Sequence, residues 1–158
     1  MKIGVIADTH SKLIPKKILD EFKKVDFIVH AGDFCTVEDY RLLSSFNKII
    51  AVYGNMDEPA LVKKLPEKTV FSFGKFLIGL THGHGPSKKV LTFVQESFCK
   101  DKVDAVIFGH SHDPINQVIN GVLYFNPGSP NDDIVAPYNS YGIIEIKDNQ
   151  LVGHIIIV

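Results

Sequence analysis

Five apolar runs of strand length in this chain each end on a side chain that can ligate a metal ion. Lys2–Ala7 hands over to Asp8-Thr9-His10, Asp26–Ala31 to Gly32-Asp33, and Lys48–Tyr53 to Gly54-Asn55. Lys75–Leu80 hands over to Thr81-His82-Gly83-His84, and Asp104–Phe108 to Gly109-His110-Ser111-His112. Short apolar runs bounded by turn residues read as buried strands. In open α/β sheets the ligand crevice lies outside the carboxyl ends of such strands. The recurrence therefore predicts a sheet-based fold with Asp8, His10, Asp33, Asn55, His82, His110 and His112 gathered at one edge. Asp33 stands at its centre, a carboxylate placed to bridge two metal ions.

The segments between these runs fill in the architecture. Ile14, Ile18, Leu19 and Phe22 recur at helical spacing, with Pro15 suited to a first turn. Thr36, with Asp39 three residues on, can cap a second helix whose buried face is Leu42, Leu43 and Phe46. A third helix is expected from Pro86 through Cys99, with Val90, Leu91, Val94 and Phe98 inward. Strand and helix alternate up to Tyr53, which argues for parallel strands joined by crossovers. Later, Thr69–Phe73 and Lys75–Leu80 read as a hairpin hinged at Gly74. Ile115–Ile119, Val122–Phe125, Tyr141–Ile146 and Leu151–Val158 read as strands, with tight turns at Asn120-Gly121 and Asp148-Asn149. A single domain over 1–158 is expected, mixed α/β (α+β) with helices outside.

Composition narrows the partners. Net charge is −1 with histidines neutral, so no basic surface awaits an extended nucleic acid. Cys35 and Cys99 form no CxxC motif, and no apolar run has the length of a membrane span. A cytoplasmic location is the expectation.

Side chains at i and i+2 of an extended segment point the same way, so Asp8 with His10 and His110 with His112 are each expected to aim two ligands into one pocket. Two carboxylates, four imidazoles and one carboxamide form a mixed N/O set, suited to Mn, Fe, Zn or Ni better than Ca or Mg. Seven donors exceed one tetrahedral ion but suit two ions sharing a carboxylate, a known solution for in-line phosphoryl chemistry. His30, inside a strand, reads as a hydrogen-bonded core histidine, and His154 lies far from every motif. Ser111 lacks a nucleophile elbow, and Gly83-His84-Gly85 lacks the third glycine of a dinucleotide fingerprint.

Asp8-x-His10, Gly32-Asp33, Gly54-Asn55-x-Asp57, His82-Gly83-His84 and Gly109-His110-Ser111-His112 together resemble the calcineurin-like metallophosphoesterases. The YfcE-like small phosphodiesterases look closest, because Asn126-Pro127-Gly128-Ser129 also follows their pattern; on its own that stretch reads as a turn or part of a pocket wall. The resemblance implies a four-layer αββα fold, two mixed β-sheets packed as a sandwich flanked by helices. It also implies a ligand partition: Asp8, His10, Asp33 and His112 on one ion, Asp33, Asn55, His82 and His110 on the other. The expected cofactors are two divalent ions per chain, Mn2+ first, with Ni2+, Zn2+ and Fe2+ as alternatives.

The expected activity is hydrolysis of a small phosphodiester by a metal-bridging hydroxide, with Asn55 touching the phosphate as well as its metal. Many relatives place a histidine directly after this asparagine to assist the leaving group; this chain has Met56, as YfcE-like members generally lack that histidine. General acid catalysis is typically worth about 10²–10⁴-fold, so good leaving groups are expected to be preferred. His84 is a candidate substitute acid or phosphate contact, against the plainer reading of a loop histidine. Asp57 is a candidate to orient a neighbouring ligand, against that of an exposed loop carboxylate. The alternative function is a catalytically weak scaffold that keeps this fold to bind protein partners, as one retromer subunit does. The C-terminal Ile155–Val158 reads either as an edge buried in a homo-oligomer or as a core strand.

Overall fold

The computed structural model describes residues 1–158. Strands β1 (Lys2–Ile6), β2 (Phe27–His30) and β3 (Ile49–Ala51) pair in parallel, joined by helices α1 (Lys16–Phe22) and α2 (Val37–Ser44). After a further helix, α3 (Pro59–Lys64), the chain builds β4 (Lys68–Phe73), β5 (Phe76–Thr81), α4 (Val90–Ser97) and β6 (Ala105–Ile107). It ends with β7 (Ile115–Ile119), β8 (Val122–Asn126), β9 (Ser140–Lys147) and β10 (Gln150–Ile157). Two mixed five-stranded sheets result, in the orders β10-β9-β1-β2-β3 and β4-β5-β6-β8-β7.

Alternation along the strands sorts their side chains into layers. Ile3 and Val5 of β1 point between the sheets with Val29, Ile78, Leu80, Ala105, Ile107, Leu123 and Phe125. Ile6 and Ile28 point the other way, against Ile14, Ile18, Phe22, Leu43 and Leu61. On the far side Val106, Phe108 and Tyr124 meet Val90, Val94 and Phe98. The order is helices, sheet, sheet, helix, the four-layer sandwich expected.

The turns are built as the sequence predicts. Asn120-Gly121 and Asp148-Asn149 all have positive φ, the tight hairpin turn that matches strand twist. Thr36 Oγ1 accepts the Asp39 amide at 3.3 Å while Asp39 Oδ2 accepts the Thr36 amide at 3.2 Å, a capping box. Three expectations change. Leu42 is 49% exposed, because α2 turns Val37, Tyr40 and Leu43 inward and a neighbour of Leu43 lies about 100° away around the helix. The helix expected from Pro86 opens as a 3₁₀ turn, Ser87–Lys89, and becomes α-helical only at Val90. Helix α3 was not expected, since its six residues bury only Leu61 and carry too short a pattern to show a period. The C-terminal strand β10 is a sheet edge; Asn116 Nδ2 and Lys17 Nζ donate to its Gly153 and Ile157 carbonyls at 2.7 and 3.3 Å.

Phe125 is the keystone of the inner layer. It is fully buried, and a Cβ at Gly142 or Gly153 would stand 2.3 or 2.7 Å from its ring. Phe125→Ala leaves a cavity between both sheets, and the expected loss is about 3–5 kcal/mol of unfolding free energy, measured as a fall in the urea midpoint.

Candidate metal centre

The carboxyl ends of β1, β2, β3, β5 and β6 bring all seven predicted donors to one edge of the sandwich. The loops that carry them interlock. The amides of Asp8, His10 and Ser11 donate to the carbonyls of Gly32, Asp33 and Phe34, and the Gly109 amide donates to the His82 carbonyl, all at 2.9–3.0 Å. The expected mechanism of convergence is corrected here. Asp8, His10, Asp33, His110 and His112 all have φ between 48° and 68°, so the pairs are aimed by left-handed turns and not by alternation along an extended strand. Asp, Asn and His tolerate this region better than most residues. The glycines beside the donors have a steric reason. A Cβ at Gly54 would lie 2.1 Å from Asp33 Oδ1, and one at Gly109 would lie 2.8 Å from Asp8 Oδ2.

Six of the seven donors are held from behind. Asp8 accepts the His110 amide at 3.0 Å on Oδ2 and 3.3 Å on Oδ1, and Asp33 Oδ1 accepts the Met56 amide at 2.8 Å, leaving Asp33 Oδ2 for the site. His82 Nδ1 donates to the Ala31 carbonyl at 2.7 Å, and His110 Nε2 to the Gly85 carbonyl at 2.9 Å. His112 Nδ1 is bonded to Asp132 Oδ2, and His10 Nδ1 lies 3.8 Å from Cys35 Sγ. The remaining ring nitrogens turn inward in two facing pairs: His10 Nε2 with His112 Nε2 at 3.1 Å, and His82 Nε2 with His110 Nδ1 at 3.2 Å. Asn55 Oδ1 joins the second pair, 3.1 Å from His82 Nε2 and 2.9 Å from His110 Nδ1. Asp33 Oδ2 stands between the pairs, 3.4 Å from His82 Nε2 and 3.8 Å from His10 Nε2. Asp8 Oδ1 also reaches both, 3.5 Å from His112 Nε2 and 4.0 Å from His82 Nε2.

This arrangement fits divalent cations. Two imidazole nitrogens at about 3 Å cannot both present lone pairs unless a proton or a metal lies between them. Rings anchored through the opposite nitrogen to a carbonyl or carboxylate are how metal-ligating histidines are oriented. The sites share buried carboxylates, Asp8 at 0% and Asp33 at 2% exposure, which makes paired occupancy by cations electrostatically favourable. Burial opposes charge on His112, but Asp8 and Asp132 outweigh it and raise its pKa to about 9. Burial likewise opposes charge on His82, and bonding to Asp33 with the nearby Asp8 raises it all the same. Burial pushes the Asp33 carboxyl up, yet His82 and the Met56 amide hold it below the usual range.

Of the remaining candidates, Asp57 is buried, which removes the exposed-carboxylate reading. Its oxygens accept the amides of Gly54 at 2.8 Å, Cys35 at 2.7 Å and Asp33 at 3.1 Å, tying the Asp33 loop to the Asn55 loop. Burial raises its pKa in spite of those bonds. His84 is exposed, packs its ring 5.6 Å from that of Phe93, and lines a cleft of about 330 Å³ with Asn55 and His82. His30 is the core histidine expected: burial holds it neutral, it stacks on Phe34 at 3.5 Å, and it bonds to Thr9 Oγ1 and the Gly32 amide. Asn126 and Ser129 are buried struts and not pocket wall; Asn126 Nδ2 donates to Gly109 O and Ser111 Oγ, and Ser129 Oγ to Asp8 O.

Sequence reasoning missed Asp132. It sits in the loop between β8 and β9, where the amides of Ile134, Val135 and Ala136 donate to its oxygens at 2.9–3.2 Å. Burial pushes its carboxyl up, but the His112 ring and the loop amides outweigh this and hold it well below the usual range. The only signal in the chain is the polar run Asn131-Asp132-Asp133, which reads as a turn.

Residues 1–149 match the calcineurin-like phosphoesterase superfamily domain, and the chain belongs to that superfamily. It is 37% identical over 139 residues to a probable metallophosphoesterase of Methanocaldococcus jannaschii, an alignment that covers 82% of this chain and 68% of that one. Its fold superposes on that of a solved archaeal phosphodiesterase with a TM-score of 0.80 at 26% identity, covering 99% of this chain and all of the other. It is also similar to Vps29 of Entamoeba histolytica complexed with Zn2+, with a TM-score of 0.75 at 26% identity and 99% of each chain covered. The chain thus belongs to the metallophosphoesterase superfamily and has phosphodiesterase relatives, the family its motifs imply.

The raised pKa of His112 sets a pH window for the metal-free protein. A histidine raised from 6.5 to about 9 stabilises the fold fully below pH 6.5 and loses that contribution as pH climbs toward 9. The melting temperature of chelator-treated protein should therefore fall over pH 6.5–9, and Asp132→Asn should flatten the fall.

Proposed function

We propose that the protein is a binuclear phosphodiesterase that takes two divalent ions, Mn2+ first, and hydrolyses small phosphodiesters. One ion would be held by Asp8, His10, Asp33 and His112, the other by Asp33, Asn55, His82 and His110. The observation that carries this reading is the two facing imidazole pairs, at 3.1 and 3.2 Å, with Asp33 Oδ2 between them. When bound, such ions supply hydroxide at neutral pH and polarise phosphoryl oxygens for in-line displacement.

The chain's own groups do the rest. Asp33 couples the two halves, and Asp57 fixes the spacing of the loops that present Asp33 and Asn55. The Asn55 carboxamide, exposed at the floor of the cleft, is placed to touch a phosphate oxygen as well as its metal. Met56 follows it with a side chain that is 58% exposed and has no proton to give. His84, in the same cleft, has a free ring for the leaving group. The proposed substrate is a small diester, the proposed location cytoplasmic; no helix is long and apolar enough to cross a membrane.

A second reading, a scaffold for protein partners, has one observation in its favour. Leu13, Ile134 and Val135 are 90%, 88% and 63% exposed on loops beside the His112 half of the site, linked by Asn131 Nδ2 to Leu13 O at 3.5 Å. Turnover separates the two. Metal-stripped protein should hydrolyse bis-p-nitrophenyl phosphate once Mn2+, Ni2+ or Zn2+ is restored, and folded Asp33→Asn should lose about 100-fold or more. Folded protein inactive with every metal would favour the scaffold. His84→Ala should slow diesters with alkyl leaving groups by about 10²-fold or more and p-nitrophenyl esters far less; equal effects on both would remove His84 as the acid.

A further inference from the structure

We infer that His30 is a positioning residue of the metal centre: through its two ring nitrogens it locks the turn that carries Asp8 and His10 to the turn that carries Asp33. The inference rests on the metal-binding reading of the cluster and adds to it a residue that touches neither metal nor substrate.

The position itself asks for an apolar side chain. His30 is the last residue of β2, and alternation puts it on the same side as Ile28, in the layer of Phe22, Phe34 and Leu43. It is fully buried, and its ring stacks on Phe34 with centroids 3.5 Å apart and planes 16° from parallel. An aliphatic or phenyl group would fill such a place without the cost of taking two ring nitrogens out of water. Burial holds the ring neutral, with one donor and one acceptor to place. Both are spent on the loops of the metal centre.

The partners leave one arrangement of protons. The Gly32 amide can only donate, and it reaches His30 Nδ1 at 3.1 Å, so Nδ1 accepts and the ring proton sits on Nε2. Nε2 then donates to Thr9 Oγ1 at 3.2 Å. The Thr9 hydroxyl in turn donates to the Asp33 carbonyl at 3.5 Å, the same carbonyl that accepts the His10 amide at 3.0 Å. Thr9 is 2% exposed, so water does not compete for these bonds. The relay therefore begins at Gly32, crosses the ring to Thr9 and returns to Asp33, joining the two turns at their backbones. Gly32 is left-handed, and a Cβ there would lie 2.7 Å from His82 Nδ1, so the peptide that His30 holds is packed against a third donor. Asp57 grips the Asp33 turn from the Asn55 side; His30 grips it from the Asp8 side. Buried supports of this kind tune metal affinity without touching the ion.

The test has a native arm and a variant arm. In the metal-free native protein, NMR of the ring nitrogens should find His30 as the neutral tautomer with its proton on Nε2. A proton on Nδ1 would overturn the inference, since Nδ1 could not then accept the Gly32 amide. Thr9→Val keeps the volume of the side chain and removes only its hydroxyl. In calorimetric titration it should weaken Mn2+ binding by about tenfold or more, while Thr9→Ser, which keeps the hydroxyl, should bind as the native protein does. His30→Phe, which keeps the stack on Phe34, should lose at least as much as Thr9→Val, and combining the two should cost no more than His30→Phe alone, because both cut one relay. Native affinity in Thr9→Val, or losses that multiply in the double variant, would overturn the inference. So would an affinity that merely follows the urea midpoint across the series, the pattern of a histidine that only packs. Failure of the native protein to bind Mn2+ would instead overturn the metal-binding reading, since the tautomer is observed without metal.

Discussion

A crowd of metal-ligating groups at one point organises this molecule. Two buried carboxylates and four imidazoles, whose inward nitrogens face each other at 3.1 and 3.2 Å, share one space, and the carboxylates pair there with histidines and with no lysine or arginine. Groups so arranged are unfavourable on their own and favourable around divalent charge. The surrounding fold accepts the cost. Five of the donor residues sit in left-handed conformations, a strain of about 1–3 kcal/mol each where such residues are not glycine. The interlocked loop amides, Asp57 with three backbone donors and Asp132 with three more hold that strain in place.

The two carboxylates behind the site divide the labour. Asp57 joins the Asp33 and Asn55 loops, so it sets the distance between the Asp33 carboxylate and the Asn55 carboxamide. Asp132 fixes the Nδ1 proton of His112 and through its own loop connects that ring to β9. Neither faces the space between the imidazole pairs, yet loss of either would loosen donors that lie in loops and not in strands. Placement of a reactive constellation on the ends of rigid strands, trimmed by buried polar supports, is a general solution to precision in α/β proteins.

Much of this was legible in the sequence because the fold repeats one device. Each parallel strand must be apolar on both faces and must stop before the ligand edge, so the handover from Val-Ile-rich runs to Asp, Asn or His is visible five times. The left-handed turns were not legible, because Asp-x-His in isolation is equally compatible with extended backbone. Asp132 was hidden for a different reason: its partner His112 is 20 residues away in sequence, and only the β8–β9 connection returns it to the site. The depth of Asp57 was hidden because a polar loop residue gives no hint of the three amides that converge on it. Leu42 misled because adjacent leucines on a short helix cannot both face the core.

The claim on which everything else depends is that the cluster is built for two divalent ions sharing Asp33. Calorimetric titration of chelator-treated protein with Mn2+, checked by elemental analysis of the dialysed product, tests it most directly. Two ions per chain for the native protein, with Asp33→Asn weakening both binding events together, is the predicted result. A single ion per chain, or two that bind equally well without the Asp33 carboxylate, would contradict the account.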